Sequence, residues 1–405
     1  MAGDHRLISV QRTGGRIEQL DTHPLIRAWF AHRLQQDNQA AWIKGHRRLY
    51  QYLCDTTEYW PDSLEGLQPL YQAIVHSCQA GLHQRACEDV YRDRILRGTG
   101  NDGFYSTKKP GAVGADLGAV ACFFDRLWDR ISVQDRAWLL SVAAFNLRAL
   151  GRLAEALEPM RAVSKTYIKR EDWKNAAISA SNLSELELVL GDPAAAIDDA
   201  ERSVGFADRS QDDFQRMSKR TAPAHADALH QAGRTDQARR LFVAAEAIQA
   251  EWQPEYPQLY SVQGFQYCEL LLADAECTAW RLVLDPGAQI SDLADLQTVC
   301  DQVAERAGQT FAWAEHDGDL LSIALDRLTL GRVAIYQVLL TAADGGYTGA
   351  EEPALSGLRI PPAAIDQLTR AVAGLRESGA LNHLPRGLLL SRAWQRWLTA
   401  DDPDS

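Results

Sequence analysis

Three stretches of this chain can be laid over one another: LRALGRLAEALEPM, ELVLGDPAAAIDDA and LHQAGRTDQARRLF. Each holds a glycine, Gly151, Gly191 or Gly233, followed five residues later by an alanine, Ala156, Ala196 or Ala238. Glycine accepts the left-handed backbone that closes a helix at its C′ position. An alanine fixed just beyond it marks a place where two helices cross too closely for a larger side chain. Small residues fixed at such a crossing, and recurring along a chain, specify stacked helix-turn-helix units. That pattern confines the middle of the molecule to an all-α architecture in which each unit buries its apolar face against the next.

The glycines stand 40 and 42 residues apart, longer than the roughly 34 residues of a tetratricopeptide repeat. The excess is expected in longer helices and in turns such as SKTYIKREDW and DRSQDDFQ. The expected fold is therefore a TPR-like, right-handed superhelix of helical hairpins. Beyond Trp252 the signature weakens, but residues 256–273, 293–315, 320–340 and 362–376 keep helical periodicity. Residues 344–362, DGGYTGAEEPALSGLRIPP, read as a loop. The last helix (Leu388, Leu389, Leu390, Trp394, Trp397, Leu398) has no second helix after it, so the chain is expected to be a fragment.

The other end differs. RLISVQRTGGRIEQL alternates as a β-hairpin around Gly14 and Gly15. A helix follows from Pro24, with Asp21 or Thr22 as its cap and Leu25, Ile26, Trp29, Phe30 and Leu34 as its apolar stripe. Further helices are predicted at about 38–54, 64–80, 83–97 and 116–128. Residues 98–114, GTGNDGFYSTKKPGAVG, form a loop without the G-x-x-x-x-G-K-[ST] phosphate cradle. The expected organisation is a hairpin-plus-helix unit at 1–36, a helical arm at 37–130 and the repeat array at 131–405.

Composition narrows the chemistry. A net charge of −12, from 54 acidic and 42 basic residues, opposes general attraction to nucleic acid. The basic clusters GHRRLY and MSKR read as solvated helix faces. No apolar run approaches the ~18 residues of a membrane span, and MAGDHRLISV lacks the layout of a signal peptide; a cytoplasmic protein without membrane partners is expected. The seven cysteines, 54, 78, 87, 122, 268, 277 and 300, are scattered and suggest buried free thiols rather than disulfides or metal ligands. Neither H-E-x-x-H nor G-x-S-x-G occurs. Glu185 and Glu187 point to different helix faces, and His225, Asp227 and His230 lack a third ligand at metal spacing. No catalytic residue, metal or cofactor is expected in this chain.

In a stack of helical hairpins the first helix of each pair builds the concave face. Counting back from the glycines gives Trp138, Ser141, Phe145 and Arg148 in the first unit. The second gives Lys174, Ile178, Ser181, Asn182 and Glu185, and the third Arg216, Arg220, Asp227 and His230. Tyr260, Gln263 and Tyr267 continue the face. Aromatic anchors, arginines and amides in one groove suit a protein or peptide ligand. An arginine there can equally pair with a neighbouring acid such as Glu185 or Asp227.

LDTHPLIRAWF, preceded by its hairpin, resembles the end of the winged-helix domain in STAND NTPases, the bacterial relatives of NLR and apoptosome proteins. In that family a histidine at the start of this helix reads the β-phosphate of ADP, a role the resemblance places on His23 in THP. The family's commoner form is Met-His-Asp. EDWKNAAISASNLSELELVLGD, HADALHQAGR and LYSVQGFQYCELLL resemble the TPR sensors of such proteins. The resemblance covers almost the whole chain but not the Walker A and B elements. It implies a sensor whose ATP- or ADP-bound switch and effector lie upstream, with the upstream NTPase domain as a partner and oligomerisation on activation. The alternative is a free-standing TPR scaffold bridging two partners. A DNA-binding regulator is weaker, since the recognition helix of a winged helix is missing.

Overall fold

A computed structural model describes residues 8–13, 16–99, 103–124, 128–210, 223–285, 288–344 and 360–399. Apart from two strands, the described elements are helices. Strands β1 (Ile8–Thr13) and β2 (Arg16–Thr22) pair antiparallel, with Ile8 opposite Thr22, Thr13 opposite Arg16 and a bulge beside Gln11 and Arg12. Gly14 and Gly15 lie outside the described residues. The chain divides into two compact units, Met1–Ile95 with Cys122–Ser132, and Leu96–Ala121 with Val133–Ser405.

In the first unit, α1 (Pro24–Asp37) is capped by His23 rather than by Asp21 or Thr22: its Nδ1 accepts from the Leu25 N–H at 3.3 Å. None of its residues is buried. The apolar stripe that periodicity marks on this helix is exposed, with Leu25 at 74% and Phe30 at 55%. Asn38 ends α1 and caps α2 (Gln39–Thr56) by accepting from Ala41 N–H. Helix α3 (Leu64–Gln79) supplies the core of this unit through Leu67, Leu70, Tyr71 and Ile74. After a short turn at His83–Arg85 the backbone widens into a π-helical segment, Ala86–Ile95, which buries Val90, Tyr91 and Ile95. Arg94 in that segment donates to the carbonyls of Cys54, Thr57, Glu58 and Tyr59 and so closes the C-terminal end of α2.

The second unit opens with a one-turn helix at Tyr105–Lys108 and with α4 (Val113–Ala121), in place of the single helix expected at 116–128. Four helices of 17 residues then begin every 20 positions: α5 (Val133–Ala149), α6 (Leu153–Lys169), α7 (Trp173–Val189) and α8 (Pro193–Arg209). The segment SKTYIK, expected in a long turn, belongs to α6, and the turn after it is short. Gly151, Gly191 and Gly233 have φ of 73°, 83° and 77°, as a C′ position requires. Ala156, Ala196 and Ala238 are fully buried. α9 (Pro223–Gln231) and α10 (Thr235–Trp252) form the next antiparallel pair.

Beyond them the helices lengthen. α11 (Ser261–Leu284), α12 (Leu293–Asp317) and α13 (Leu320–Asp344) run 24 or 25 residues, and α14 (Pro362–Glu377) and α15 (Leu384–Thr399) close the fold. Their shared core includes Phe265, Leu272, Leu325, Tyr336, Leu339 and Leu368. Gly331 on α13 lets α14 approach, since a Cβ there would meet Leu368 at 2.8 Å. Of the cysteines, Cys78, Cys87, Cys268 and Cys300 are buried and Cys277 is exposed, all as free thiols.

Candidate ligand-binding cavity

The second unit holds a cavity of about 1110 Å³ that is open to solvent on one side. Its walls come from α5, α7 and α9, from α10 and the start of α11, and from the connection between α14 and α15. Phe145 and Arg148 lie one turn apart on α5, as Asn182 and Glu185 do on α7, so each pair faces the same way. Arg148 Nη1 donates to Glu185 Oε2 at 2.5 Å, and its guanidinium sits 5.3 Å from the Phe145 ring. On α9, Asp227 accepts from Gln231 at 3.3 Å and from Gln266 of α11 at 3.0 Å. Burial is the main force pushing the Asp227 carboxyl up to about 7. The two amides hold its oxygens without supplying a positive charge.

Across the cavity, Gln249 donates to Gln253 Oε1 at 2.6 Å, and the Tyr260 hydroxyl donates to the same oxygen at 3.3 Å. Tyr260 also packs edge-on to Trp313. Burial raises its phenol above the usual range. The start of α11 is tightly built. Ser261 holds φ at 58°, and a Cβ on Gly264 would meet the Leu259 carbonyl oxygen at 2.4 Å. Asn382, His383 and Arg386 complete the lining. His383 is half-buried beside Arg148 and Arg386; loss of hydration first, and then the two guanidiniums, lower its ring to about 4 and keep it neutral.

Phe145, Arg148, Asn182, Glu185, Asp227, Tyr260 and Gln263 are thus brought to one cavity. Other expected groove residues are placed elsewhere. Tyr267 is 8% exposed and stacks on Phe242 at 4.9 Å, with Arg306 over its other side, so it belongs to the core. Ser181 is buried, Lys174 is exposed, and Trp138, Ser141 and Ile178 are half-buried away from the lining. His230 is half-buried, and among the described residues its Nδ1 has no hydrogen-bond partner. Arg216 and Arg220 lie outside the described residues. His23 is an exposed helix cap in the first unit.

Periodicity missed Gln249 and Trp252, which stand on a second helix, and Asn382, His383 and Arg386, which arrive from the far end of the chain. No local pattern announces either set. Among the described residues no group of three or more His, Cys, Asp or Glu side chains could hold a metal ion, and no helix is long and apolar enough to cross a membrane. Compared with protein-family models, with curated proteins and with solved structures, the chain matches none.

Proposed function

We propose that this chain is a non-catalytic ligand-sensing region, and that its cavity takes a segment of a protein or peptide. The observation that carries the reading is the lining itself: aromatic rings at Phe145, Trp252 and Tyr260, and side-chain amides at Asn182, Gln249, Gln263 and Gln266. Amides can both donate to and accept from an extended main chain, while the rings supply the apolar contact that dominates binding energy. Ion pairing inside the lining, as between Arg148 and Glu185, leaves little charge uncompensated. The regular run of helices from 133 onward supports a TPR-like superhelix as the frame of this site.

The same reading makes the N-terminal hairpin and α1 the end of a STAND-type switch domain. The exposed Leu25, Trp29, Phe30 and Leu34 support it, because such a stripe suits a helix that packs on further protein. His23 would then face the nucleotide of an upstream NTPase domain. Ligand binding releases that switch only if the ligand prefers the open state over the resting one.

An array of random octapeptides probed with the whole chain tests the site. Bound peptides are expected to lose at least tenfold in affinity against Phe145→Ala and Asn182→Ala. Peptides that bind both variants as well as the unaltered chain would remove the cavity from the proposal.

A further inference from the structure

The connection between α14 and α15 forms part of the cavity wall. Asn382 N–H donates to the Ala149 carbonyl at the end of α5, 3.2 Å away. Four residues on, Arg386 Nη1 meets Glu269 Oε2 at 2.6 Å. Glu269 is almost fully buried and is also paired with Arg332, which reaches Glu276 at 2.6 Å. Without Arg386, this wall sets two carboxylates, Glu269 and Glu276, against the one guanidinium of Arg332, with Asp227 close enough to sense Glu269. A buried carboxylate surplus of this kind demands a cation.

Arg386 is an odd choice for its own helix. It stands in the first turn of α15, where the helix dipole disfavours positive charge. Its side chain is 43% exposed and reaches inward from the cavity lining to Glu269. Pairing with the acidic wall, not helix stability, accounts for its place.

Building on the peptide-binding reading above, we propose that the wall around Glu269 is a guanidinium site, that residues 380–386 are its built-in occupant, and that the ligand is a peptide segment whose arginine replaces Arg386. The geometry supplies the reason for competition: a second arginine cannot reach Glu269 while Arg386 holds it.

The test is calorimetry of the whole chain carrying Arg386→Ala, titrated with a synthetic peptide of the sequence ALNHLPRG, the chain's own residues 380–387. The variant is expected to bind it, at least tenfold more tightly than the unaltered chain does. Replacing the peptide's arginine with neutral, isosteric citrulline is expected to weaken binding at least tenfold. Equal binding of the two peptides, or no binding of either, overturns the proposal. If Arg386→Ala does not melt cooperatively, Arg386→Gln, which keeps the stem, takes its place in the same titration. Array peptides that bind the cavity without regard to arginine would overturn this inference and leave the peptide-binding reading standing. An array in which nothing binds would remove both.

Discussion

Glu171 holds a backbone angle of φ 55° in the turn between α6 and α7. The hydrogen bond that closes this turn, Asp172 N–H to Tyr167 carbonyl at 3.0 Å, repeats those following Gly151, Gly191 and Gly233. The same device is therefore built three times with glycine and once with a residue that resists it. A left-handed L-residue costs roughly 1–2 kcal/mol, so Glu171→Gly is expected to stabilise the chain by about 0.5–1 kcal/mol after glycine's greater unfolded-state freedom is subtracted. Gly191→Ala, where an added Cβ meets nothing within 4 Å, should cost about 1 kcal/mol from backbone conformation alone. Urea melts check both, and an unchanged midpoint for Glu171→Gly would deny that the turn is strained. This glutamate also explains why the repeat is legible in the sequence only at 40-residue spacing. The true period is 20, and its surviving trace is Ala176, five residues past Glu171 and fully buried. A second residue, Asp326, is 4% exposed, accepts from Thr310 at 3.0 Å, and is pushed by burial up to about 7. Its folded-state value lies above the ordinary 3.8, so the native state holds the proton longer. Stability from this group is intact below about 4 and falls as pH rises to about 7. Asp326→Asn, which can still accept from Thr310, should raise the melting temperature at pH 8 by about 3 °C or more and leave it nearly unchanged at pH 4.

At the scale of elements, the helices of the first unit are legible where apolar spacing is strict. α2 and α3 begin within one residue of their expected starts. The π-helical winding of Ala86–Ile95 is not legible, because a 3.6-residue pattern and a wider one bury nearly the same positions over so short a run. The winding ends beside an interaction that sequence reasoning also missed: Arg94, 6% exposed, donating to four carbonyls around the end of α2. These carbonyls have no partner within the helix, and the guanidinium satisfies several at once while meeting the negative end of the dipole. Arg94→Ala should cost about 2 kcal/mol, since a buried guanidinium and its charge-assisted hydrogen bonds are lost, while water replaces part of them at the half-buried and exposed carbonyls. Arg94→Lys should recover part of that, a point charge replacing a planar fork. Denaturant melts of the two variants decide it; equal losses would mean that packing of the stem, not donation to α2, is what Arg94 contributes. For α1 the stripe was legible and its environment was not. Periodicity says which side of a helix is apolar, but not whether anything covers it.

In the second unit taken as a whole, the decisive contacts are the most distant in sequence. Asn382 and Ala149 stand 233 positions apart (149 to 382) and share a hydrogen bond in the cavity wall. Repeat reasoning works outward from neighbours, so it picked the lining from α5, α7 and α9 but could not see the C-terminal segment closing over them. His383 in that segment makes the closure testable by pH. Burial first, then Arg148 and Arg386, lower its ring from the ordinary 6.5 to about 4, against an opposing pull from Glu185 and Glu269. The unfolded or opened segment therefore binds a proton more readily than the closed one. The stability His383 permits is complete above about 6.5 and is lost as pH falls to about 4, where an imidazolium would sit beside two guanidiniums. Between pH 7 and pH 4.5 the unaltered chain should lose several degrees more in melting temperature than His383→Gln, which cannot take up the proton. Hydrogen exchange corrected for the intrinsic pH effect should place the extra opening in residues 380–386 at pH 4.5 and nowhere in α2 or α3. An equal loss in both proteins, or exchange that rises uniformly along the chain, would show that the segment is held by its helices alone and that His383 does not report on its release.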